Sequence, residues 1–167
     1  MEVRSVEAIV RGWNQAGVRY LIVGGLAVVA HGYVRFTADF DVILDFNRDN
    51  LQRAADVLEK SGYLPRIPAQ LVDLSEEETR RDWFERRNML VFSFWTDQHA
   101  MTIIDIFIEH PLNFEEMMSR AVASELPSGE KAIYASLQDL LLMKRSAGRP
   151  QDLADIAELS LIHQLPS

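Results

Sequence analysis

Apolar and polar positions along this chain repeat with two different periods. From Ser5 to Ala16, the residues Val6, Ile9, Val10 and Trp13 recur at helical spacing, and Gly17 follows as a C-cap. Tyr20-Leu-Ile-Val23 is a short continuous apolar run, the pattern of a buried strand, and it stops at Gly24-Gly25. Leu26 to His31 predicts a helical turn or two closed by Gly32, and Phe40 to Phe46 predicts a second strand. The polar run from Asn47 to Asn50 offers caps for a helix from about Leu51 to Lys60, ended by Gly62. Residues 65–82 hold two prolines and then Ser75-Glu-Glu-Glu-Thr-Arg-Arg-Asp82, with no clear period; a loop or short excursion is expected. Met89 to Thr96 and Thr102 to Ile108 are β-rich and predict two strands paired across Asp97-Gln98-His99-Ala100. Beyond them come a short helix at Phe114 to Met118, two short strands at 121–126 and 131–135, and two closing helices. Those helices run from Leu137 to Ala147 and from Gln151 to about His163, hinged at Gly148-Arg149-Pro150, where proline suits a first helical turn. The order αβαβα, then ββ, then mostly α predicts an α/β (α+β) fold, a mixed β-sheet flanked by helices. With no repeat or linker-like stretch, the 167 residues read as one domain, with a core over about 5–110 and a helical part over about 136–163.

Composition narrows the function by exclusion. The chain has no cysteine, which removes disulfide frameworks, thiolate zinc sites and cysteine nucleophiles. Its four histidines show no HExxH-like spacing. Seventeen basic against 25 acidic residues give a net charge of −8, which argues against general DNA binding, whose driving term is electrostatic. A small phosphate ligand is a different matter, because a bound metal ion brings its own positive charge. The longest apolar run, Leu21 to Ala30, is too short for a membrane span and contains Gly24-Gly25. Glu2, Arg4 and Glu7 interrupt any leader-like apolar run, so a cytoplasmic protein is expected. The acid excess is uneven: the imbalance is −1 over residues 1–64, −2 over 65–100 and −5 over 101–167.

Four groups of residues carry candidate chemistry. A strand running into Gly24-Gly25 and then a helix lets backbone amides approach an anion, although a tight strand-to-helix turn needs glycine in any case. Asp39 and Asp41 are two apart on a strand and therefore face one side. Such a pair is comfortable only with a shared proton, a cation or good solvation, so it is either a hard-cation site or an acidic strand end facing water. Asp105 sits alone among apolar neighbours in Thr102-Ile-Ile-Asp-Ile-Phe-Ile108; it wants a metal ion or one of the 14 arginines as partner. Three carboxylates on adjacent strands would complete a two-metal triad for phosphoryl or nucleotidyl transfer. Arg35 and Thr37, just before the acids, could reach phosphate oxygens or hold the carboxylates. The cluster Arg80-Arg81 and Arg86-Arg87, beside Trp83 and Phe84, is either an RNA-facing patch or a salt-bridged surface helix. His31 reads as a helix-end or packing residue, and Trp13, Trp95 and the methionines as core.

Gly24-Gly25-Leu-Ala27, His31-Gly32, Arg35, Thr37, Asp39 and Asp41, in this order and spacing, resemble the nucleotidyltransferase superfamily. The run Leu140-Leu-Leu-Met-Lys-Arg-Ser-Ala-Gly-Arg-Pro-Gln-Asp-Leu-Ala-Asp-Ile156 is similar to the C-terminal motif of its minimal prokaryotic AbiEii-like branch, linked to toxin–antitoxin systems. The two motifs bracket residues 20 to 160. The resemblance implies a nucleotidyltransferase fold with C-terminal helices and transfer of an NMP group from an NTP to an acceptor such as RNA, a protein hydroxyl or a small molecule. Asp39, Asp41 and Asp105 would match the carboxylates that hold Mg²⁺ or Mn²⁺. Gly24 and Gly25 would match the triphosphate loop, and Lys144 the lysine associated with nucleotide or catalysis. Arg149, Asp152 and Asp155 match the polar positions after it, either binding substrate or orienting Lys144. The resemblance also implies a cognate toxin or antitoxin partner as an alternative role for a non-catalytic member. Two departures stand out: the motif's usual Gly-Ser is Gly-Gly here, and no second domain for an acceptor is evident.

Overall fold

The computed structural model describes residues 2–99 and 102–165; of the expected turn at 97–100, Ala100 lies outside them, as do Met1 and Met101. Helix α1 (Val3–Gln15) buries Val6, Ile9, Val10 and Trp13, the stripe that the sequence pattern marks. Strand β1 (Tyr20–Ile22) leads into α2 (Gly24–Ala30), so both glycines form the first helical turn rather than a linker ahead of it. Strand β2 (Asp39–Leu44) is followed by α3 (Arg48–Lys60), whose cap is Asn47: its side chain accepts from the amides of Asp49 and Asn50. A two-residue strand β3 (Leu64–Pro65) and a 3₁₀ turn (Leu71–Ser75) precede α4 (Glu77–Arg87). This helix corrects the loop expected over residues 65–82. Then come β4 (Val91–Trp95), β5 (Ile103–Phe107), α5 (Phe114–Ser119), β6 (Val122–Glu125), β7 (Lys131–Tyr134), α6 (Leu137–Ala147) and α7 (Pro150–Ile162).

Among the described residues the strands form one seven-stranded mixed sheet in the order β3-β4-β5-β2-β1-β7-β6. The central pair β2–β5 is parallel, flanked by the antiparallel pairs β4–β5 and β1–β2. The alternation in β2 and β5 then divides the two faces. Phe40, Val42, Ile104 and Ile106 are fully buried in the main core with α1 and α3, whereas Asp39, Asp41 and Asp105 lie on the other face. Leu21, Val23 and Ile43 continue that second face into a smaller apolar cluster with Phe114 and Met117 of α5. The result is an α+β sheet-and-helix architecture in which one face of the central strands is core and the other is core at one end and acidic at the other. Trp13 is buried as expected, but Trp95, at the end of β4 beside the two-residue edge strand, is 43% exposed and is not core. No helix among the described residues is long and apolar enough to cross a membrane.

Candidate active site

The register of the central strands builds the site. Asp41 of β2 stands directly opposite Asp105 of β5, and Asp39 stands opposite Ile103. Paired strands lie about 4.8 Å apart, so the two opposed carboxyls are close neighbours on one face. Burial is the main force on Asp41; repulsion from Asp105 and Asp39 adds to it, and the Arg149 charge and the Gly25 amide pull back. The net effect pushes Asp41 up to about 6. Asp105 is also raised, chiefly by burial and then by Asp39, against a hydrogen bond from Ser93 and the charge of Arg66. Ser93 sits opposite Asp105 on β4 and donates its hydroxyl to Oδ1 at 2.5 Å. Asp105 makes no ion pair among the described residues, so the structural arginine pairing considered from sequence does not occur there.

Gly24 is required by contact as well as conformation. Its φ is +61°, in the left-handed region, and a β-carbon there would overlap the Asp41 carboxylate. Gly25 is just as tightly backed: a β-carbon would overlap Thr37 Oγ1 and come within 3.3 Å of Arg35 Nη1.

The C-terminal motif folds into a buried charge cluster. Ser136 caps α6 and α7 starts at Pro150, so the αL residue Gly148 turns the chain between them and brings Lys144 against α7. Lys144 Nζ donates to Asp152 at 3.1 Å and Asp155 at 2.6 Å while only 5% exposed. Arg149 donates from Nε to Asp152 at 2.8 Å, and Arg35 forks onto Asp155 at 2.7 and 2.8 Å. Burial works against the charge of both carboxyls. Hydrogen bonds from Arg149 and Lys144 onto Asp152, and from Arg35, Lys144 and Gln151 onto Asp155, outweigh it and hold both below the usual range.

Gly24, Asp39, Asp41, Asp105, Lys144, Arg149 and Asp152 all line one cleft of about 1020 Å³. Gly25, Arg35 and Thr37 are not in its wall; they form the packing behind the glycine turn. The opposite wall is a face of α4, with Glu77, Arg81, Phe84 and Glu85 at helical spacing. Arg81 pairs with Glu77, and Arg86 and Arg87 pair with Asp82, so the basic cluster is a salt-bridged helix with one face on the cleft. His110 also lines the cleft. It is stacked between Phe46 and Phe114, hydrogen-bonded to the Leu44 carbonyl, and lowered in pKa chiefly by burial. His31, at the C-cap of α2, bonds the Ala135 carbonyl and packs as expected.

Sequence reasoning missed Ser93, Arg66 and the α4 wall. Ser93 had a signal, a polar residue on the same strand face as its apolar neighbours Val91 and Trp95, the kind of exception that marks Asp105. Arg66 had none, since its effect depends on where β3 joins the sheet edge.

Among the described residues no three carboxylate or imidazole groups already stand as a ligand set for a metal ion. The donor chemistry nevertheless fits a hard divalent cation: carboxyl oxygens on one sheet face, in a cleft, two of them repelling each other. Asp41 packs against Gly24 and Asp105 Oδ1 accepts from Ser93, while both residues line the cleft.

Curated proteins yield no match to this chain. A family model described as "Nucleotidyltransferase of unknown function (DUF6036)" matches residues 6–166, which takes in every element from α1 to α7 except the first few residues. With the acidic strand pair, the glycine turn and the closing helices all inside that match, the chain belongs to this nucleotidyltransferase family of unknown function.

Proposed function

We propose that the protein is a metal-dependent nucleotidyltransferase that moves an NMP group from an NTP to an acceptor hydroxyl on RNA, a protein or a small molecule. The observation that carries this is the opposition of Asp41 and Asp105 on adjacent parallel strands, facing a cleft that also holds Gly24, Lys144 and Arg149. In the reaction the acceptor oxygen bonds the α-phosphorus, the bond from that phosphorus to the β-phosphate oxygen breaks, and pyrophosphate leaves. Asp39, Asp41 and Asp105 would hold Mg²⁺ or Mn²⁺, which supplies charge neutralisation of the phosphates and acidification of the hydroxyl. Asp105, raised in pKa chiefly by burial and hydrogen-bonded by Ser93, would take the acceptor proton. Arg149, anchored by Asp152 but with its side chain largely exposed, supports the charge of the phosphates from the cleft wall. The AbiEii-like placement belongs to the same proposal and rests on the spacing of Lys144, Arg149, Pro150, Asp152 and Asp155.

Calorimetry with each of ATP, GTP, CTP and UTP tests the reading. Binding of at least one is expected with Mg²⁺ or Mn²⁺ and not without, and Asp39→Ala or Asp41→Ala abolishes it. Wild-type protein that shows no metal-dependent binding ends the proposal. A second reading, a non-catalytic member of a toxin–antitoxin pair, is favoured by the unusual exposure of Val34, Phe36 and Leu161, at 82%, 77% and 73%. A co-purifying partner chain, together with metal-dependent binding and no transfer, would select it.

A further inference from the structure

Asp155 is fully buried and accepts four hydrogen bonds from three side chains. Oδ1 takes Arg35 Nε at 2.7 Å and Gln151 Nε2 at 3.0 Å; Oδ2 takes Arg35 Nη2 at 2.8 Å and Lys144 Nζ at 2.6 Å. The remaining Arg35 nitrogen, Nη1, bonds the Phe36 carbonyl at 2.9 Å and lies close behind Gly25. Each of the three Arg35 nitrogens therefore has a protein partner. Arg35 backs the turn. From Asp155 the same network runs through Lys144 to Asp152 and on to Arg149 in the cleft wall.

Residues 31–38 have no helix or strand of their own. Among the described residues, the hydrogen bonds that tie them to distant parts of the chain come from three side chains. They are the Arg35–Asp155 fork, His31 with the Ala135 carbonyl, and His163 with the His31 carbonyl. Only the fork reaches the stretch between Gly32 and Asp39. A bidentate arginine–carboxylate pair fixes orientation as well as distance. The cluster contains three cations, Arg35, Lys144 and Arg149, against two carboxylates, Asp152 and Asp155. The Arg149 charge also acts on Asp41 across the cleft.

We propose that Asp155 is a positioning residue. It locks the Gly24-Gly25 turn, through Arg35, to the cations of the cleft wall, Lys144 and Arg149, so that amides and positive charge face a nucleotide's phosphates in fixed register. This rests on the nucleotidyltransferase reading for its ligand, though not for the tie itself. The test combines three variants with two measurements. Arg35→Lys keeps the charge but loses the fork, Asp155→Asn keeps the shape but loses the charge, and Asp155→Glu keeps the charge on a longer arm. Hydrogen exchange should be at least about tenfold faster over residues 24–38 in Arg35→Lys and Asp155→Asn, with β4 and β5 unchanged. Binding of each nucleoside triphosphate with Mg²⁺ should weaken about tenfold or more in the same two variants and recover in part in Asp155→Glu. Arg35→Lys keeps the test decisive if Asp155→Asn fails to fold. Wild-type exchange over 24–38 in Arg35→Lys, or acceleration spread evenly over the whole chain, overturns the proposal. Wild-type protein that binds no nucleotide with Mg²⁺ sinks the transferase reading instead, and the exchange result still decides whether Asp155 sets the turn.

Discussion

Asp41 is held in a state that folding alone would avoid. Its pKa of about 6, against an ordinary 3.8, means that the folded protein binds this proton more tightly than the unfolded chain does. The stability cost is therefore absent below pH 3.8, grows as pH rises, and is complete above about 6. At a little over two pKa units it amounts to about 3 kcal/mol. Asp41→Asn is accordingly expected to be more stable than wild type at pH 7.5 by up to that amount and nearly equal to it at pH 4, as read by urea denaturation. Excess Mg²⁺ should stabilise the wild type at pH 7.5 and leave Asp41→Asn unmoved. Gly24 gives a second residue-scale test. Gly17 and Gly24 share a left-handed φ of +65° and +61°, but nothing surrounds a β-carbon at 17, while one at 24 meets Asp41. Gly17→Ala should cost about 1–2 kcal/mol, the conformational penalty alone. Gly24→Ala should cost more and should also end nucleotide binding. At this scale the acids and glycines were legible in the sequence because a carboxylate in an apolar strand and a paired glycine are exceptions to their surroundings. Arg35 was legible as important and not as what it does, because its partner lies 120 positions away.

At the scale of elements, α4 shows why a real helix can escape the sequence pattern. It buries a single residue, Trp83, which packs on Phe92 with ring centroids 5.7 Å apart. A helix normally declares itself by an apolar stripe, and this one has no stripe to read; its exposed faces are held by charge pairs and its C-terminus by Asn88 in the left-handed conformation. Trp83→Ala should therefore destabilise the protein by about 3–5 kcal/mol in thermal or urea unfolding. Phe84, 44% exposed on the cleft side, should change stability by about half a kcal/mol or less when replaced by alanine. Any loss of ligand binding in Phe84→Ala would then assign the α4 wall a part in recognition. The strands were easier. β2 over Asp39–Val42 and β5 over Ile103–Phe107 alternate between the core and the cleft face. What a sequence cannot supply is the choice of neighbour, and it is the pairing of β2 with β5 that sets Asp41 beside Asp105.

At the scale of the whole molecule the sheet is unevenly joined. β2 and β5 share four registered pairs, whereas the β6–β7 hairpin joins the sheet at β1 through the pair Ile22–Tyr134 and the bond from the Ala135 amide to the Ile22 carbonyl. Amides of β6 should exchange at least about tenfold faster than those of β2 and β5, and equal rates would show that the sheet opens as one unit. The cleft shares in the net charge of −8: seven carboxyls line it against three cations, Arg81, Lys144 and Arg149. The chain order of those groups has a further consequence. The carboxylates are made first, at 39, 41 and 105, and the cluster of Lys144, Arg149, Asp152 and Asp155 comes only at 144 to 155. A nascent chain can assemble its early elements while it is still on the ribosome, but Lys144 gains its partners Asp152 and Asp155 only when α7 has been translated. Chains cut short before that helix should therefore lack the buried charge cluster that fixes the cleft wall.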